Sequence, residues 1–160
     1  MRQLSLFQTE PLRFHGGSLI SGRRKTRRPL ARKKPIHFVL KSGRVLLPWS
    51  QVIEKEIGRL GNKFGLRLYR VAIAQDHVHF VARIPGRAEY TAFIRSVTGT
   101  LARKLGKGLW KLLPFSRVAT WGREFRALMD YLRKNTEEAL GLRPYEPRRR
   151  HYKKFEPPRG

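Results

Sequence analysis

The order of strand and helix patterns in the sequence predicts an α+β fold. Between residues 35 and 121, segments with two-residue alternation and segments with helical spacing follow in the order strand, helix, strand, strand, helix, strand. This order is typical of a ferredoxin-like antiparallel sheet with two helices on one face. The 160 residues, 40% of them hydrophobic, suit one domain with a modest core.

The first half of this pattern contains two strands and a helix. Apolar side chains occupy every second position from residue 36 to 41, which predicts a strand. Apolar residues then recur at helical spacing from residue 53 to 64, which predicts an amphipathic helix. A second strand is expected over residues 66 to 74, with three side chains on one face: Tyr69, Val71 and Ile73.

The third strand carries the most reactive side chains. Residues 75 to 84 read QDHVHFVARI, so alternation directs Val78 and Phe80 to the core, and His77 and His79 to the opposite face. Because this strand follows the second almost directly, we expect a tight hairpin or a bulged bend between them. Two imidazoles in this position can bind one divalent metal ion. The same spacing also arises by chance, which leaves two structural histidines as the alternative.

A helix over residues 90 to 105 and a strand over residues 115 to 121 complete the predicted sheet. A third helix, over residues 123 to 138, presents a buried stripe made of Phe125, Leu128, Met129 and Leu132. Tyr131 and Asn135 lie one turn apart on the flank of that stripe. A tyrosine in this position is usually a packing residue.

Paired histidines, a nearby tyrosine and a basic chain together indicate phosphodiester chemistry. The Tyr131 hydroxyl can attack a phosphodiester and hold the nucleic acid end covalently. A metal held by His77 and His79 would polarise the scissile phosphate. Asn135 would add an oxygen ligand from the same helix as the tyrosine.

The charge of the chain indicates a polyanionic partner. Lys and Arg number 36 against 11 Asp and Glu, a formal net charge of +25. Nucleic acid is favoured over an anionic membrane, because neither end forms a basic helix with a bulky apolar face. The chain has no cysteine, which excludes a thiolate nucleophile. It also has no long apolar run and no secretory signal, so we expect a cytoplasmic protein without a membrane partner.

We expect a basic flexible arm over residues 1 to 33, a folded domain over residues 34 to 142, and a basic aromatic tail over residues 143 to 160. Each end can be interpreted as a solubilising extension or as a DNA-binding segment, and for residues 1 to 33 the two roles are not exclusive. The candidate DNA contacts are cationic side chains and one tail tyrosine: Arg23, Arg24, Lys25, Arg27, Arg28, Arg95, Arg103, Lys104, Lys107, Arg148, Arg149, Arg150 and Tyr152. Three further cationic candidates are Lys63, Arg67 and Lys111.

The joint pattern resembles the single-tyrosine HUH transposases. The sequence has HVH on a strand and, roughly fifty residues later, YLRKN from Tyr131 to Asn135 on a helix. The phrases KPIHFVLKS, DHVHF and WGREF, together with Gly141 and Leu142, are similar to the branch of REP-associated tyrosine transposases. The similarity covers about residues 34 to 142.

This resemblance implies a metal-dependent single-strand DNA nuclease and strand transferase that acts on hairpins and forms a 5′-phosphotyrosyl link. Carried over, Tyr131 would be the nucleophile, and His77 and His79 would bind Mg²⁺ or Mn²⁺ with Asn135 as a further ligand. Relatives often have proline after this asparagine, whereas here the helix can continue, so Glu138 could join or replace Asn135. Monomers and homodimers with exchanged tyrosines both occur in the family.

A second interpretation is a non-catalytic RNA- or DNA-binding module on the same ferredoxin-like fold. It explains the charge and the order of elements, but it leaves the combination of His77, His79, Tyr131 and Asn135 unexplained. The sequence is also compatible with a transposase-derived protein that a host keeps for processing DNA ends.

Overall fold

A five-stranded antiparallel sheet forms the centre of the structure, a computed structural model that describes residues 13–20, 22 and 26–147. Its strands are β1 (Phe14–His15), β2 (Ile36–Lys41), β3 (Arg67–Ile73), β4 (His77–Arg83) and β5 (Phe115–Val118). They lie in the order β1-β5-β2-β4-β3, and every neighbouring pair is antiparallel. The order β5-β2-β4-β3 confirms the predicted ferredoxin-like arrangement, and β1 extends it at one edge.

Two helices cover one face of the sheet, as predicted. They are α1 (Ser50–Lys63) and α2 (Arg87–Leu105), and short 3-10 turns occupy Gly17–Ile20 and Leu47–Trp49. Val78 and Phe80 of β4 are fully buried against Phe93 and Val97 of α2, so the predicted alternation of β4 is confirmed. No helix in the described part of the chain is long and apolar enough to cross a membrane.

A third helix, α3 (Arg123–Ala139), packs on the opposite face of the sheet. Leu128 and Leu132 are buried against Val81 of β4 and Ala72 of β3. Phe125 and Met129 pack beside them, which confirms the predicted stripe. Both faces of β4 are therefore covered, one by α1 and α2 and the other by α3.

A bulge in β3 corrects the predicted facing of one residue. Leu68 pairs with Ala82 but Arg70 pairs with Val81, so Tyr69 is an extra residue in the register. The extra residue shifts the alternation and turns Tyr69 toward α3, where its ring centroid lies 5.3 Å from that of Phe125. Val71 and Ile73 lie together on the opposite face of the sheet, as predicted, and pack in the core with α1 and α2.

Part of the segment predicted to be a flexible arm is folded against the sheet. Residues Phe14–His15 pair with β5, and the Phe14 ring centroid lies 6.3 Å from that of Phe115. Arg28 donates hydrogen bonds of 2.7 Å to Ser116 Oγ and to the carbonyl oxygen of Pro114. Its guanidinium also lies 5.6 Å from the centroid of the Tyr90 ring. Arg28, predicted as a DNA contact, is therefore committed to internal hydrogen bonds.

Glu124, in the first turn of α3, links this helix to the edge of the sheet. Its carboxylate accepts hydrogen bonds from Arg13 at 2.7 Å, from the backbone N–H of Thr120 at 2.7 Å, and from Arg117 of β5. Burial raises the pKa of the Glu124 carboxyl, but the hydrogen bonds from Thr120, Arg13 and Arg117 outweigh it and lower that pKa to about 2. The carboxylate is therefore ionised at neutral pH and ties β1, β5 and α3 together.

Replacing this carboxylate is expected to destabilise the fold in a pH-dependent way. A lowered pKa means that the contribution to the free energy of unfolding is present above the ordinary value of 4.5 and is lost as the pH falls toward 2. At pH 7, Glu124→Gln should lower the free energy of unfolding by about 1 to 2 kcal/mol in urea titrations. The difference from the unsubstituted protein should shrink below pH 4.

The matched control is Glu54→Gln, which changes an exposed carboxylate on α1. This substitution should leave the free energy of unfolding nearly unchanged both at pH 7 and below pH 4. Equal losses for the two variants, or a Glu124 effect that does not depend on pH, would contradict the proposed link.

Candidate functional site

The two histidines of β4 lie side by side on the face covered by α3. His79 is buried, whereas the side chain of His77 is 31% exposed at the end of the strand. Their ring centroids are 4.6 Å apart and the rings are inclined by 74°. The structure therefore brings together the pair that the alternation of β4 predicts.

A third histidine, His37 of β2, joins the pair, and sequence reasoning missed it. The antiparallel register sets His37 opposite Val81 and Val39 opposite His79, so the two imidazoles are diagonal neighbours on one face. His37 Nε2 and His79 Nδ1 are 3.0 Å apart and share a hydrogen bond. The available signal was the position of His37 on the outer face of the first predicted strand, but the pairing register was needed to use it.

His37 is held in its neutral form. Burial, followed by the positive charge of Arg117 and the nearby His77, lowers the pKa of His37 to about 3. A neutral imidazole has one nitrogen that accepts a hydrogen bond, which a protonated ring lacks. His37 can therefore accept a hydrogen bond from His79 Nδ1–H throughout the neutral pH range.

Asp76 plays the matching part for His77. The Asp76 carboxylate lies 2.6 Å from His77 Nδ1 and 3.1 Å from the Lys41 ammonium. The hydrogen bond from His77, with a smaller contribution from Lys41, lowers the pKa of Asp76. Sequence reasoning quoted this aspartate in the DHVHF phrase but gave it no role. With Nδ1 of both His77 and His79 engaged by other side chains, Nε2 is the nitrogen of each ring that can bind a metal.

Tyr131 lies above this group because α3 is packed onto β3 and β4. Its ring centroid lies 5.8 Å from that of His79 and 6.3 Å from that of His37, with edge-to-face inclinations of 87° and 75°. The next residue, Leu132, is fully buried and fixes the rotation of the helix. The structure therefore places the predicted nucleophile beside the predicted metal-binding histidines.

The two candidates for a further ligand lie on the same helix. Asn135, one turn beyond Tyr131, is buried at 6% exposure, and Glu138 is half-buried near the end of α3. Within the described residues, no three side chains of His, Asp or Glu are grouped so that they could hold a metal ion. A metal on His77 and His79 would therefore need an oxygen from another source, such as an amide or a phosphate.

Four of the predicted phosphate contacts lie on or just after α2. Arg95 and Arg103 are exposed on α2, Lys107 follows that helix, and Lys104 is paired with Glu56 at 3.0 Å. These residues belong to the layer across the sheet from the histidines. Arg27 is exposed, as are three further candidates: Lys63, Arg67 and Lys111. The remaining predicted contacts lie outside the described residues: Arg23, Arg24, Lys25, Arg148, Arg149, Arg150 and Tyr152.

A sequence model of a known family matches most of the folded part of the chain. The model for IS200-like transposases matches residues 35–130, more than half of the 160 residues. The chain belongs to this family. The matched segment contains His37, His77 and His79 and ends one residue before Tyr131. A search of curated proteins finds no match.

A solved structure of a transposase shares the fold of this IS200-like chain. A REP-associated tyrosine transposase bound to a REP hairpin is 15% identical and has a TM-score of 0.60, over 68% of this chain and 70% of that one. A candidate transposase from Deinococcus radiodurans is 19% identical, with a TM-score of 0.45 over 71% of this chain and 98% of that one. The first of these supports the fold, and the resemblance drawn from the sequence motifs is confirmed at the level of the family.

Proposed function

We propose that this IS200-like chain is a metal-dependent endonuclease and strand transferase that acts on single-stranded hairpin DNA through a tyrosine-phosphate intermediate. The observation that carries the proposal is the position of Tyr131 on α3, which packs onto the histidine strand. The ring centroid of Tyr131 lies 5.8 Å from that of His79. Membership of a transposase family supports strand transfer as the reaction. Hairpin DNA is the proposed substrate because the REP-associated structure is bound to a REP hairpin.

The proposed metal site uses Nε2 of His77 and of His79. Both rings have Nδ1 engaged, in one case by Asp76 at 2.6 Å and in the other by His37 at 3.0 Å. Such hydrogen bonds orient an imidazole and increase its basicity as a ligand. Asn135 is the proposed third ligand because its amide supplies oxygen from the helix that carries Tyr131. Glu138, the other ligand predicted from the sequence, is not grouped with His77 and His79 in the described part of the chain. The amide oxygen suits Mg²⁺ or Mn²⁺, and the two imidazole nitrogens favour Mn²⁺ of the two, because Mg²⁺ prefers oxygen ligands.

In the proposed reaction, the Tyr131 hydroxyl oxygen attacks the scissile phosphorus and its proton passes to solvent, while the departing 3′ oxygen takes up a proton from solvent. A phosphorus–oxygen bond to Tyr131 forms while the bond to the 3′ oxygen breaks, which leaves a free 3′ hydroxyl and a 5′-phosphotyrosyl link. A bound divalent ion would polarise the phosphate and offset its developing negative charge. Attack by a 3′ hydroxyl on the phosphotyrosyl link reverses the step and releases Tyr131, so strands can be joined without an external energy source.

Substitution of Tyr131 is expected to separate cleavage from binding. Tyr131→Phe removes only the hydroxyl oxygen, so it should abolish the covalent protein–DNA adduct while hairpin affinity changes by less than about twofold. The measurement is a denaturing gel of the protein after incubation with Mn²⁺ and a hairpin labelled at its 3′ end. The label then stays on the fragment whose 5′ phosphate is linked to the protein. Hairpins from palindromes in the source genome provide the substrates.

The control is Tyr145→Phe, because Tyr145 is 74% exposed and lies beyond the end of α3. This variant should form adduct at the normal rate. An adduct that persists in Tyr131→Phe would refute the assignment of the nucleophile. Tight hairpin binding without any adduct in the unsubstituted protein would favour a non-catalytic DNA-binding module.

Removing the hydrogen-bond acceptor on His37 is expected to weaken metal binding before any DNA is added. His37→Phe keeps an aromatic ring but leaves His79 Nδ1–H without this acceptor, so the affinity for Mn²⁺ should fall about 10- to 100-fold. The loss can be measured from the electron paramagnetic resonance signal of free Mn²⁺. His37→Gln retains an acceptor oxygen and should recover part of the affinity.

His15 provides the control for this experiment. It lies on β1, where His15 Nε2 is 2.9 Å from the carbonyl oxygen of Thr26, and His15→Gln should leave Mn²⁺ affinity unchanged. Folding of every variant is checked by circular dichroism. A folded His37→Phe protein with normal Mn²⁺ affinity would show that His37 does not orient a metal ligand.

A further inference from the structure

A cluster of three aromatic rings lies beside the amino-terminal end of α3, on the same face of the sheet as the histidines. The ring centroid of Trp121 lies 5.0 Å from that of Phe125 and 5.6 Å from that of Tyr69. Phe125 and Tyr69 are half-buried against the α3 core, whereas Trp121 is 46% exposed. Trp121 is thus the outermost ring of the cluster, and the other two rings pack against the hydrophobic residues under α3.

The orientation of the Trp121 ring is fixed. Its indole Nε1–H donates a 2.8 Å hydrogen bond to the carbonyl oxygen of Lys33, which lies in the segment before β2. Gly122 follows with φ of +87°, a conformation that lets the chain turn directly into α3. An exposed indole that is held by edge contacts and a hydrogen bond is pre-organised to receive a flat ligand.

A strongly basic cleft adjoins this cluster. The cleft has a volume of about 460 Å³, and four of its seven lining residues are cationic: Arg32, Lys33, Arg67 and Arg83. None of the lining residues is acidic. Lys33 also bonds the indole through its carbonyl oxygen, and the Arg67 guanidinium lies 5.7 Å from the centroid of the Tyr69 ring. The cleft and the aromatic cluster therefore form one continuous surface, which we call the Trp121 platform.

The Trp121 platform lies within reach of the candidate catalytic group. Strand alternation directs Arg83 to the same face of β4 as His79, about 13 Å away along the strand. Trp121 lies two residues before Arg123, the first residue of α3, and Arg123 and Tyr131 are separated by about 12 Å along that helix. A short stretch of extended DNA could therefore contact the platform while another of its phosphates, about two nucleotides along the strand, lies at Tyr131.

We propose that the Trp121 platform binds unpaired nucleotides that flank the scissile phosphate, with a base stacked on Trp121 and phosphates in the basic cleft. Unpaired bases expose their faces, whereas those of a duplex are stacked on one another, so the platform should distinguish single strands from a hairpin stem. The cations would neutralise phosphates without reading sequence. This inference rests on the proposed function for the identity of the ligand as DNA.

The test compares three hairpins: one is blunt, one has a short single-stranded thymidine extension on the 5′ side of the stem, and one has it on the 3′ side. Affinities are measured by fluorescence anisotropy in the Tyr131→Phe background, so that no cleavage intervenes. Trp121→Ala should weaken binding of at least one extended hairpin about 5- to 150-fold, the range for the loss of one stacked base. Binding of the blunt hairpin should change less than about twofold.

Two further variants separate stacking from damage to the fold. Trp121→Phe keeps an aromatic face and should recover most of the affinity for the affected extended hairpin. Trp49→Ala, the matched control, removes a tryptophan that is 50% exposed in the turn before α1, and it should have no effect. Arg83→Ala should reduce the salt dependence of binding to the affected extended hairpin by about one phosphate contact.

Equal losses for blunt and extended hairpins in Trp121→Ala would show a contact with the stem and would overturn the inference. Normal affinity of Trp121→Ala for all three hairpins would also overturn it. These outcomes are independent of the adduct assay, because they report binding by a variant that lacks the nucleophile. A failure of Tyr131 as nucleophile would therefore be distinguished from a failure of the Trp121 platform.

Discussion

The packing of α3 onto β3 and β4 is the interaction on which the candidate site depends. Leu132 and Leu128 are buried against Val81 and Ala72, so β4 has a hydrophobic layer on each face. This second layer excludes water from His79 and sets the rotation of α3, which leaves Tyr131 on the edge of the packed face. The burial that stabilises α3 therefore also places the Tyr131 side chain beside the histidines.

A second requirement is that the histidines are held by neighbouring side chains. His37 and Asp76 occupy Nδ1 of His79 and of His77, and they do so from β2 and from the β3–β4 turn. Low solvent exposure keeps His37 neutral, while Lys41 and His77 keep Asp76 ionised. The site therefore combines one neutral and one anionic acceptor, and each would fix the tautomer of one of the two histidines proposed to bind metal.

Local patterns predicted the parts of this arrangement that depend on alternation and helical spacing. The faces of β4 and the buried stripe of α3 follow directly from residue periods. That Tyr131 meets His77 and His79 was expected from the resemblance to the single-tyrosine transposases, because periods do not say which elements pack together. The role of His37 could not be predicted, because it depends on the register between β2 and β4. The bulge at Tyr69, the two-residue strand β1 and the internal bonds of Arg28 were missed for a related reason. Each arises from contacts between segments distant in sequence, which periodicity does not encode.

The proposed reaction requires one metal ion bound by Nε2 of both His77 and His79 beside Tyr131. An anomalous difference map from crystals of the protein soaked in Mn²⁺ would locate this ion. We expect one strong peak at bonding distance from both Nε2 atoms, with His37 and Asp76 still bonded to the Nδ1 atoms. A peak bound through Nδ1, or Mn²⁺ bound only elsewhere on the protein, would refute the proposed site.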